Sequence, residues 1–305
     1  MAIQKTDSLI PSRLSSGDTI GIVAPAGHFD KEKFRMGVKS LESMGFRVHI
    51  PDDIFSKSGY FAGTDAQRAD LLKRLFEDNS IKAIACARGG FGSIKILPLL
   101  DFKIIKSHPK IFIGFSDVSV LLNVFFEKSG LITFHGPVVT SLADTSRKTK
   151  DTMFEAITSG RPIEIAMDRP VCIHTGTASG IVIGGNLTTL CHLIGTPYMP
   201  SFSGRILVLE DTGEACYRID RMLTQMKLAG CLDGIAGVAV GSFDDCGSMD
   251  ELYGVIENIF KEYRIPILAG FDAGHGETNI TFPVGLEATL DADKGKLSFH
   301  TSATK

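Results

Sequence analysis

The segment Ile111-Phe-Ile-Gly-Phe-Ser-Asp-Val-Ser-Val-Leu-Leu122 joins a short apolar run to a helical pattern through a tight corner at Gly114-Phe-Ser-Asp117. A strand, a sharp turn at serine and a helix form a nucleophile elbow, which holds the hydroxyl clear of the sheet near the positive end of the helix dipole. The match to Gly-x-Ser-x-Gly is partial, because no glycine closes the motif. The segment therefore predicts either a nucleophile at Ser116 or an ordinary turn in which Ser116 caps a helix.

Apolar runs alternate with amphipathic helical patterns on both sides of this segment. Strand-like runs in the first half of the chain lie at 19–24, 47–50, 83–86 and 131–134. Such alternation predicts βαβ units and a mostly parallel sheet, whose functional groups gather at the carboxyl ends of the strands. Pro25, Arg88, Ser116 and His135 each follow a strand, so we expect them to share one crevice.

The pattern changes near residue 160, and the later part ends in an antiparallel pair predicted at 285–290 and 296–300. We predict an α/β chain of two domains. The first, residues 1–160, is a mostly parallel sheet flanked by helices and carries the serine. The second, residues 176–305, is a mixed α/β domain, and residues 161–175 form the linker.

The composition excludes several classes of function. The 305 residues are 44% hydrophobic and 22% charged, with a net charge of −3. That hydrophobic content supports a large core. The absence of a basic excess argues against a nucleic-acid partner, and the absence of a polybasic tract argues against an anionic membrane surface.

Cysteine usage and the N-terminus bear on the compartment. The six cysteines are scattered, with no Cys-x-x-Cys and no zinc-type spacing. Met1–Ile10 has no apolar run of signal-peptide length, and no stretch approaches the roughly 18 apolar residues of a membrane span. We expect a soluble cytoplasmic protein with reduced thiols and without a cofactor or a catalytic metal.

A serine nucleophile needs a base and a group that orients the base. His275 is the best candidate base, because it lies between two glycines in a loop after a strand. His135 also follows a strand and is the competitor, although we expect it to be a structural group hydrogen-bonded beneath the site. A turn histidine without a role is the alternative for His275.

Three carboxylates are candidates for the orienting group. Glu210 and Asp211 end a predicted strand at 205–209, and Glu214 follows a turn later. Alternation along a strand sends Glu210 and Asp211 to opposite faces, so at most one of them points into a given site. Glu214 instead has the position of an acidic residue that favours the N-terminus of the next helix. The residues alone leave the choice open.

The loop Arg88-Gly-Gly-Phe-Gly92 is rich in glycine but matches neither a dinucleotide fingerprint nor a Walker loop. One interpretation is a plain βα turn. The other is a turn whose backbone N–H groups face the crevice, where they hold an oxyanion or a substrate carboxylate.

Taken together, these motifs resemble a known family. They occur in the order Gly21-Ile-Val-Ala-Pro25, Arg88-Gly-Gly-Phe-Gly92, Gly114-Phe-Ser-Asp117, His135-Gly-Pro137, Gly184-Gly-Asn-Leu187, Leu209-Glu-Asp211, Tyr217-Arg-Ile-Asp-Arg221 and the loop around His275. The set is similar to the LD-carboxypeptidase family of serine peptidases, whose relatives include the microcin C immunity peptidases. The resemblance covers about residues 15–300, and the motifs are specific as a set although each alone is weak.

The resemblance implies a Ser-Glu-His triad divided between the two domains. The family's nucleophile, carboxylate and base correspond to Ser116, Glu210 and His275. Its main-chain oxyanion hole corresponds to the N–H groups of Asp117 and Gly90. Phe115 is a small departure, since relatives often have tyrosine there.

The resemblance also implies a substrate. The family cleaves the terminal D-alanine from a cytoplasmic murein tetrapeptide in peptidoglycan recycling, at a bond between the L-centre of a diamino acid and the D-residue. Arg88 and Gly89 are our candidates for binding the terminal carboxylate. The resemblance further suggests a homodimer, and we expect no nucleic-acid or membrane partner.

Two other functions stay open. An immunity-type peptidase would cleave a peptidyl nucleotide and would need an aromatic surface for the base, whereas this chain has no Trp and five Tyr. A non-catalytic peptide-binding protein would use the same crevice, with Ser116 as a helix cap. A nucleotide-dependent oxidoreductase is disfavoured, because the dinucleotide fingerprint is missing.

Overall fold

The computed structural model describes residues 8–305. The expectation about a signal segment rests largely on residues 1–7, which lie outside this range. Over residues 8–305 the chain forms two sheets flanked by helices, which is the predicted two-domain α/β fold. Within the same range, no helix combines the length and the apolar character needed to cross a bilayer.

The first sheet is built mainly from the first half of the chain. Its strands are β1 (Thr19–Val23), β2 (Arg47–His49), β3 (Ile81–Cys86), β4 (Ile111–Gly114), β5 (Thr133–His135) and β12 (Phe282–Val284). They lie in the order β12-β5-β4-β3-β1-β2 and are parallel except for β12. The helices of this half are α1 (Lys31–Ser43), α2 (Asp65–Glu77), α3 (Ser93–Ile96), α4 (Phe102–Ser107), α5 (Ser119–Ser129) and α6 (Arg147–Thr158).

The second sheet has eight strands in the described range. They are β6 (Pro162–Ala166), β7 (Val171–His174), β8 (Thr177–Asn186), β9 (Arg205–Thr212), β10 (Gly237–Asp244), β11 (Ile267–Ala269), β13 (Glu287–Asp291) and β14 (Lys296–Ser302). Their order is β6-β14-β13-β8-β9-β10-β11-β7, with β8 to β11 parallel and the other pairings antiparallel. The helices are α7 (Leu187–Cys191), α8 (Cys216–Leu228) and α9 (Met249–Phe260).

Two features depart from the predicted division of the chain. Residues 161–175, predicted as a linker, form the edge strands β6 and β7, because β14 and β11 offer them unpaired backbone groups. Residues 282–284, which lie in the predicted C-terminal domain, form the strand β12, which pairs with β5 of the first sheet. The two halves are therefore interlocked, which fixes the first sheet against the loops that follow β9 and β11.

The cores explain why the elements form where they do. The strands β4 and β9 are buried almost throughout, as expected for parallel strands covered on both faces. The helix α2 begins at a capping box, in which Thr64 and Gln67 satisfy each other's backbone N–H groups. Asp30 caps α1 in a similar way, accepting hydrogen bonds from the N–H groups of Glu32 and Lys33.

Candidate active site

Ser116 occupies the corner between β4 and α5 in a strained conformation. Its φ angle is +63°, in the left-handed region that a residue with a Cβ rarely adopts. The residue opens a short 3-10 turn, Ser116–Val118, that leads into α5. Such strain at a corner after a buried strand is typical of a nucleophile elbow. A simple cap would not require it, since capping residues take an extended backbone.

Ser116, His275 and Glu210 form a continuous chain of hydrogen bonds. His275 Nε2 lies 3.0 Å from Ser116 Oγ, and His275 Nδ1 lies 2.7 Å from Glu210 Oε2. Glu210 is completely buried at the end of β9, whereas the His275 side chain in the loop after β11 is 20% exposed. The carboxylate fixes the proton on Nδ1, which leaves Nε2 free to accept the hydroxyl proton.

Burial and charge oppose each other in this pair. Burial alone would lower the pKa of His275, but the hydrogen bond and charge of Glu210, together with Asp211 and Asp244, raise that pKa above its ordinary value. Burial raises the pKa of Glu210, while its hydrogen bond to His275 acts in the opposite direction. The pair is arranged to stabilise a positive imidazole ring.

The other two candidate carboxylates have different partners. Asp211 points to the opposite face of β9, where it accepts hydrogen bonds from the Asn186 amide and from Thr188. Glu214 pairs with Arg218 at 3.4 Å. The structure thus brings Glu210 to His275 and leaves Asp211 and Glu214 apart from it.

Side chains that the sequence analysis did not single out hold the His275 loop in place. The Gly274 N–H donates to Asn279 Oδ1 at 3.0 Å, and the Gly276 N–H donates to Ser242 Oγ at 3.2 Å. The Ser242 hydroxyl in turn donates to the Ala273 carbonyl at 3.1 Å. A single serine on a strand and an asparagine in a polar loop carry no sequence signal for this role.

The glycine-rich loop after β3 packs directly on the serine. A Cβ atom at Gly89 would lie 2.8 Å from Ser116 Cβ and 3.3 Å from the Asp117 nitrogen, so only glycine allows this approach. Gly90 is exposed beside it with a φ of +99°. The buried Asp117 carboxylate accepts a 2.8 Å hydrogen bond from the Ser93 N–H, which ties the loop to the elbow. Burial raises the pKa of Asp117 despite these donors.

Arg88 lies at the rim of the site and is exposed. Its Nη1 donates to the His28 carbonyl at 2.7 Å. A pocket of about 220 Å³ opens beside His275 and Phe115, and Lys33 and Asp144 form an ion pair of 3.3 Å at its wall. Arg88 and Gly89 are not part of that wall, so the pocket and the glycine loop are separate regions of one crevice.

His135 was expected to be hydrogen-bonded beneath the site, and the structure corrects this. The ring is fully buried and stacks on Phe282, with ring centroids 4.6 Å apart. Within residues 8–305, neither ring nitrogen has a hydrogen-bond partner. Burial, with a smaller effect of His275, lowers the pKa of His135 to about 3, so the ring is neutral. Its position follows from apolar packing between β5 and β12.

Fold and site together define the class: this is a serine peptidase built on two interlocked α/β halves. The model of the LD-carboxypeptidase N-terminal domain matches residues 20–136, and that of the LD-carboxypeptidase C-terminal domain matches residues 179–290. The chain therefore belongs to the LD-carboxypeptidase family.

Relatives align in sequence with nearly the whole chain. A probable murein peptide carboxypeptidase of Bacillus subtilis is 35% identical over 290 residues, covering 92% of this chain and 91% of its own. The murein tetrapeptide carboxypeptidase of Pseudomonas aeruginosa is 32% identical, with 90% and 94% covered. The microcin C7 self-immunity protein MccF of Escherichia coli is 30% identical, with 95% of each chain covered.

A solved structure shares the fold closely. The crystal structure of an MccF-like protein of Bacillus anthracis superposes with a TM-score of 0.91 at 28% sequence identity, over 96% of this chain and all of the other. At the level of the family, the chain is a carboxypeptidase.

Proposed function

We propose that this carboxypeptidase removes a terminal D-alanine from a murein tetrapeptide by cleaving an L,D peptide bond. The observation that carries the proposal is the hydrogen-bonded chain from Ser116 through His275 to the buried Glu210, with separations of 3.0 and 2.7 Å. The murein peptide carboxypeptidases among its relatives suggest the substrate class.

The reaction proceeds through an acyl-enzyme. His275 Nε2 takes the Ser116 hydroxyl proton while Oγ attacks the carbonyl carbon of the scissile bond. The N–H groups of Asp117 and Gly90 hold the resulting oxyanion. As the C–N bond breaks, His275 gives its proton to the leaving amine. His275 then takes a proton from a water molecule whose oxygen attacks the ester carbonyl, and as the bond to Oγ breaks the ring returns that proton to Ser116.

The crevice supplies two environments for the substrate. The pocket beside His275 holds the leaving residue, because His275 must reach the departing amine. The loop at Arg88 and Gly89, in a neighbouring region of the same crevice, is our candidate for binding the terminal carboxylate of that leaving residue through N–H and guanidinium donors. The homodimer suggested by the family resemblance stays a prediction.

The test is mass spectrometry of the purified protein with a tetrapeptide that ends in D-alanine, beside the same peptide ending in L-alanine. We expect loss of one alanine from the D-peptide alone. Ser116→Ala should lower kcat by a factor on the order of 10⁵ to 10⁶. Ser43→Ala, at an exposed hydroxyl on α1, should leave kcat unchanged.

Other outcomes lead to the rival functions. Equal cleavage of both peptides would exclude L,D selectivity. Cleavage of a peptidyl adenylate, with neither tetrapeptide cleaved, would establish the immunity-type activity suggested by the relative MccF. Equal activity of wild type and Ser116→Ala would exclude Ser116 as the nucleophile. Binding of the peptides without any cleavage would favour the non-catalytic peptide-binding function.

A further inference from the structure

A groove of about 430 Å³ lies between α1 and the segment that follows β2. Phe34 and Val38 of α1 line one side of it. Ile50, which is 36% exposed, and Phe55, which is 39% exposed, line the other side. Single exposed apolar side chains are ordinary, but apolar side chains gathered in one groove mark a site of contact with a partner.

Aromatic packing holds the two sides of this groove together. The Phe34 ring packs edge-on against Phe55, with ring centroids 5.7 Å apart. Phe29 packs against both rings, with centroid distances of 4.7 Å to Phe34 and 5.7 Å to Phe55. Phe29 and Phe34 are buried, so they fix the half-buried Phe55 in place. The groove is therefore formed before a partner arrives, which lowers the entropy cost of binding.

Three cations line the groove along α1. Lys31, Arg35 and Lys39 recur at every fourth position, so they follow one edge of the helix at intervals of about 6 Å. Lys31 Nζ lies 5.3 Å from the centroid of the Phe55 ring, next to the apolar wall. Within residues 8–305, neither lysine has an ion-pair partner. Arg35 pairs at 3.1 Å with the exposed Glu32, a contact that contributes little in water.

The pattern of charge indicates what kind of partner fits the groove. The lining side chains carry three positive charges and one negative charge, at Glu42, so an anionic partner is favoured. A row of cations beside an apolar strip matches a partner whose acidic side chains also repeat along one edge. An α-helix has this property, because its residues at i and i+4 advance by the same distance of about 6 Å. A small amphiphile with one anionic end would meet only one of the three cations.

We propose that this groove binds an acidic amphipathic helix of a partner protein. Apolar side chains at positions i, i+4 and i+7 of that helix fill the groove beside Phe34 and Val38. Aspartate or glutamate side chains on the adjoining edge pair with Lys31, Arg35 and Lys39. The contact spans only about two turns of α1, so the complex is weak, forms and dissociates readily, and depends on salt.

The groove and the catalytic crevice lie on different faces of α1. Lys33 lines the pocket beside His275, whereas Lys31 and Arg35, two positions before and after it, line the groove. Two positions along a helix turn a side chain by about 200°, which accounts for this separation. A helix bound in the groove therefore leaves the crevice open, and the inference is independent of the proposed reaction.

Fluorescence anisotropy tests the charge pattern with a labelled peptide of roughly 18 residues, long enough to form a helix, that carries leucine on one face and glutamate along the adjoining edge. We expect the intact protein to bind this peptide, with a Kd that rises as salt is added, and not to bind a counterpart with lysine in place of glutamate. Lys31→Glu combined with Lys39→Glu should raise Kd about tenfold. The matched control is Lys103→Glu combined with Lys106→Glu, at two exposed lysines of α4, which changes the net charge equally and should leave Kd unchanged.

Ile50→Ala separates the apolar contact from general charge attraction. We expect it to raise the Kd of the glutamate peptide about fivefold, because it removes methyl and methylene groups from the wall of the groove. Leu228→Ala, at a leucine that is 83% exposed on α8, should leave Kd unchanged.

Several results would overturn the inference. These are no binding of the glutamate peptide, equal binding of both peptides, or a Kd that neither Ile50→Ala nor the charge reversal on α1 changes. Sedimentation velocity covers the remaining occupant, a second copy of this chain. If the reversal of Lys31 and Lys39 converted a dimer to monomers, the groove would be an interface between copies and not a site for a partner helix.

Discussion

At the scale of single residues, the site depends on how Glu210 acts on His275. The imidazole must be neutral to accept the serine proton and then positive while the tetrahedral intermediate exists. The buried carboxylate favours the positive form more strongly than burial opposes it, so the pKa of His275 is raised. In the proposed mechanism, the same interaction that stabilises the intermediate restricts the active form to higher pH.

The pH profile of kcat/KM should show this. The proposed mechanism needs His275 deprotonated, so we predict that activity falls as the pH drops through a pKa above the ordinary value of about 6.5. Glu210→Gln removes the charge that raises the pKa of His275, so the fall in kcat/KM on the acidic side of the profile should move to lower pH. In the same variant kcat should fall roughly 10⁴-fold. Glu214→Gln is the control and should leave the limb in place. An unchanged limb in Glu210→Gln would contradict the assigned pairing.

The buried His135 should make the fold sensitive to acid. Its pKa is lowered to about 3 in the folded protein, so below about pH 6.5 the unfolded chain takes up a proton that the folded one does not. Its contribution to stability is complete above pH 6.5 and is lost as the pH falls towards 3. The slope from this group approaches 1.4 kcal/mol per pH unit.

Denaturant unfolding of His135→Phe between pH 7 and pH 4 measures this contribution. We expect the free energy of unfolding to decline less steeply with acid than in wild type. His49→Phe, at an exposed histidine on β2, should keep the wild-type slope. Equal slopes for all three proteins would show that His135 takes up a proton without unfolding.

At the scale of elements, Arg68 on α2 connects the loops that follow β1 and β3. Its Nη1 donates to the carbonyls of Pro25 and Gly92, and its Nη2 pairs with Asp65. The guanidinium thus joins the loop after β1 to the loop after β3. It also lies close enough to Asp117 to act on that carboxylate electrostatically. A planar fork of donors can span these acceptors, which a lysine ammonium cannot.

Arg68→Lys should weaken both the fold and the reaction. Carbonyls left without a donor each cost about 1–3 kcal/mol, so the free energy of unfolding should fall by about 2–4 kcal/mol. Because the loop carries the Gly90 N–H, kcat should also fall about 10²-fold in protein that is still folded, with KM changed less. Arg74→Lys, on the exposed face of the same helix, should change stability by less than about 0.5 kcal/mol. A wild-type kcat in Arg68→Lys would exclude a role for Arg68 in positioning the loop that carries Gly90.

How far the sequence predicts these elements depends on the range of the interactions involved. The strand, turn and helix around Ser116 follow one another along the chain, so this element is local, and its arrangement was predicted correctly. The strands β6 and β7 depend on partners in β14 and β11, roughly a hundred residues away, so the sequence around residues 161–175 indicated only a linker. Alternation separated Glu210 from Asp211, but which face meets His275 depends on how the two halves pack. The hydrogen bonds that Arg68 donates and that Asn279 accepts had no local pattern in the sequence.

At the scale of the whole molecule, buried hydrogen bonds fix the distance between the two halves of the site. Asn123 on α5 donates to the Gly184 carbonyl at 2.8 Å and accepts from the Gly184 N–H at 2.9 Å, across the boundary between the halves. Nearby, Ser119 Oγ accepts from the Asn186 N–H at 3.1 Å. Asn123 and Ser119 are fully buried. The helix that carries the serine corner is therefore clamped to the strand next to β9, on which Glu210 lies.

Asn123→Leu tests the clamp with a side chain of similar size. It leaves the buried N–H and carbonyl groups of Gly184 without their side-chain partner, so we expect the free energy of unfolding to fall by about 2–5 kcal/mol. In the folded variant kcat should fall while KM stays near the wild-type value, because the Ser116–His275 alignment loosens. Asn79→Leu, at an exposed asparagine, should change neither quantity. Wild-type kcat in a destabilised Asn123→Leu would limit Asn123 to a structural role.

The most direct test is whether the two halves together activate Ser116. Intact-protein mass spectrometry after treatment with a fluorophosphonate, followed by peptide mapping, reports which hydroxyl reacts. We predict one adduct, located on Ser116, that is absent from Ser116→Ala and forms far more slowly in His275→Ala. An adduct on another serine, or equally fast labelling of Ser116 without the His275 ring, would contradict a nucleophile activated across the two halves of the fold.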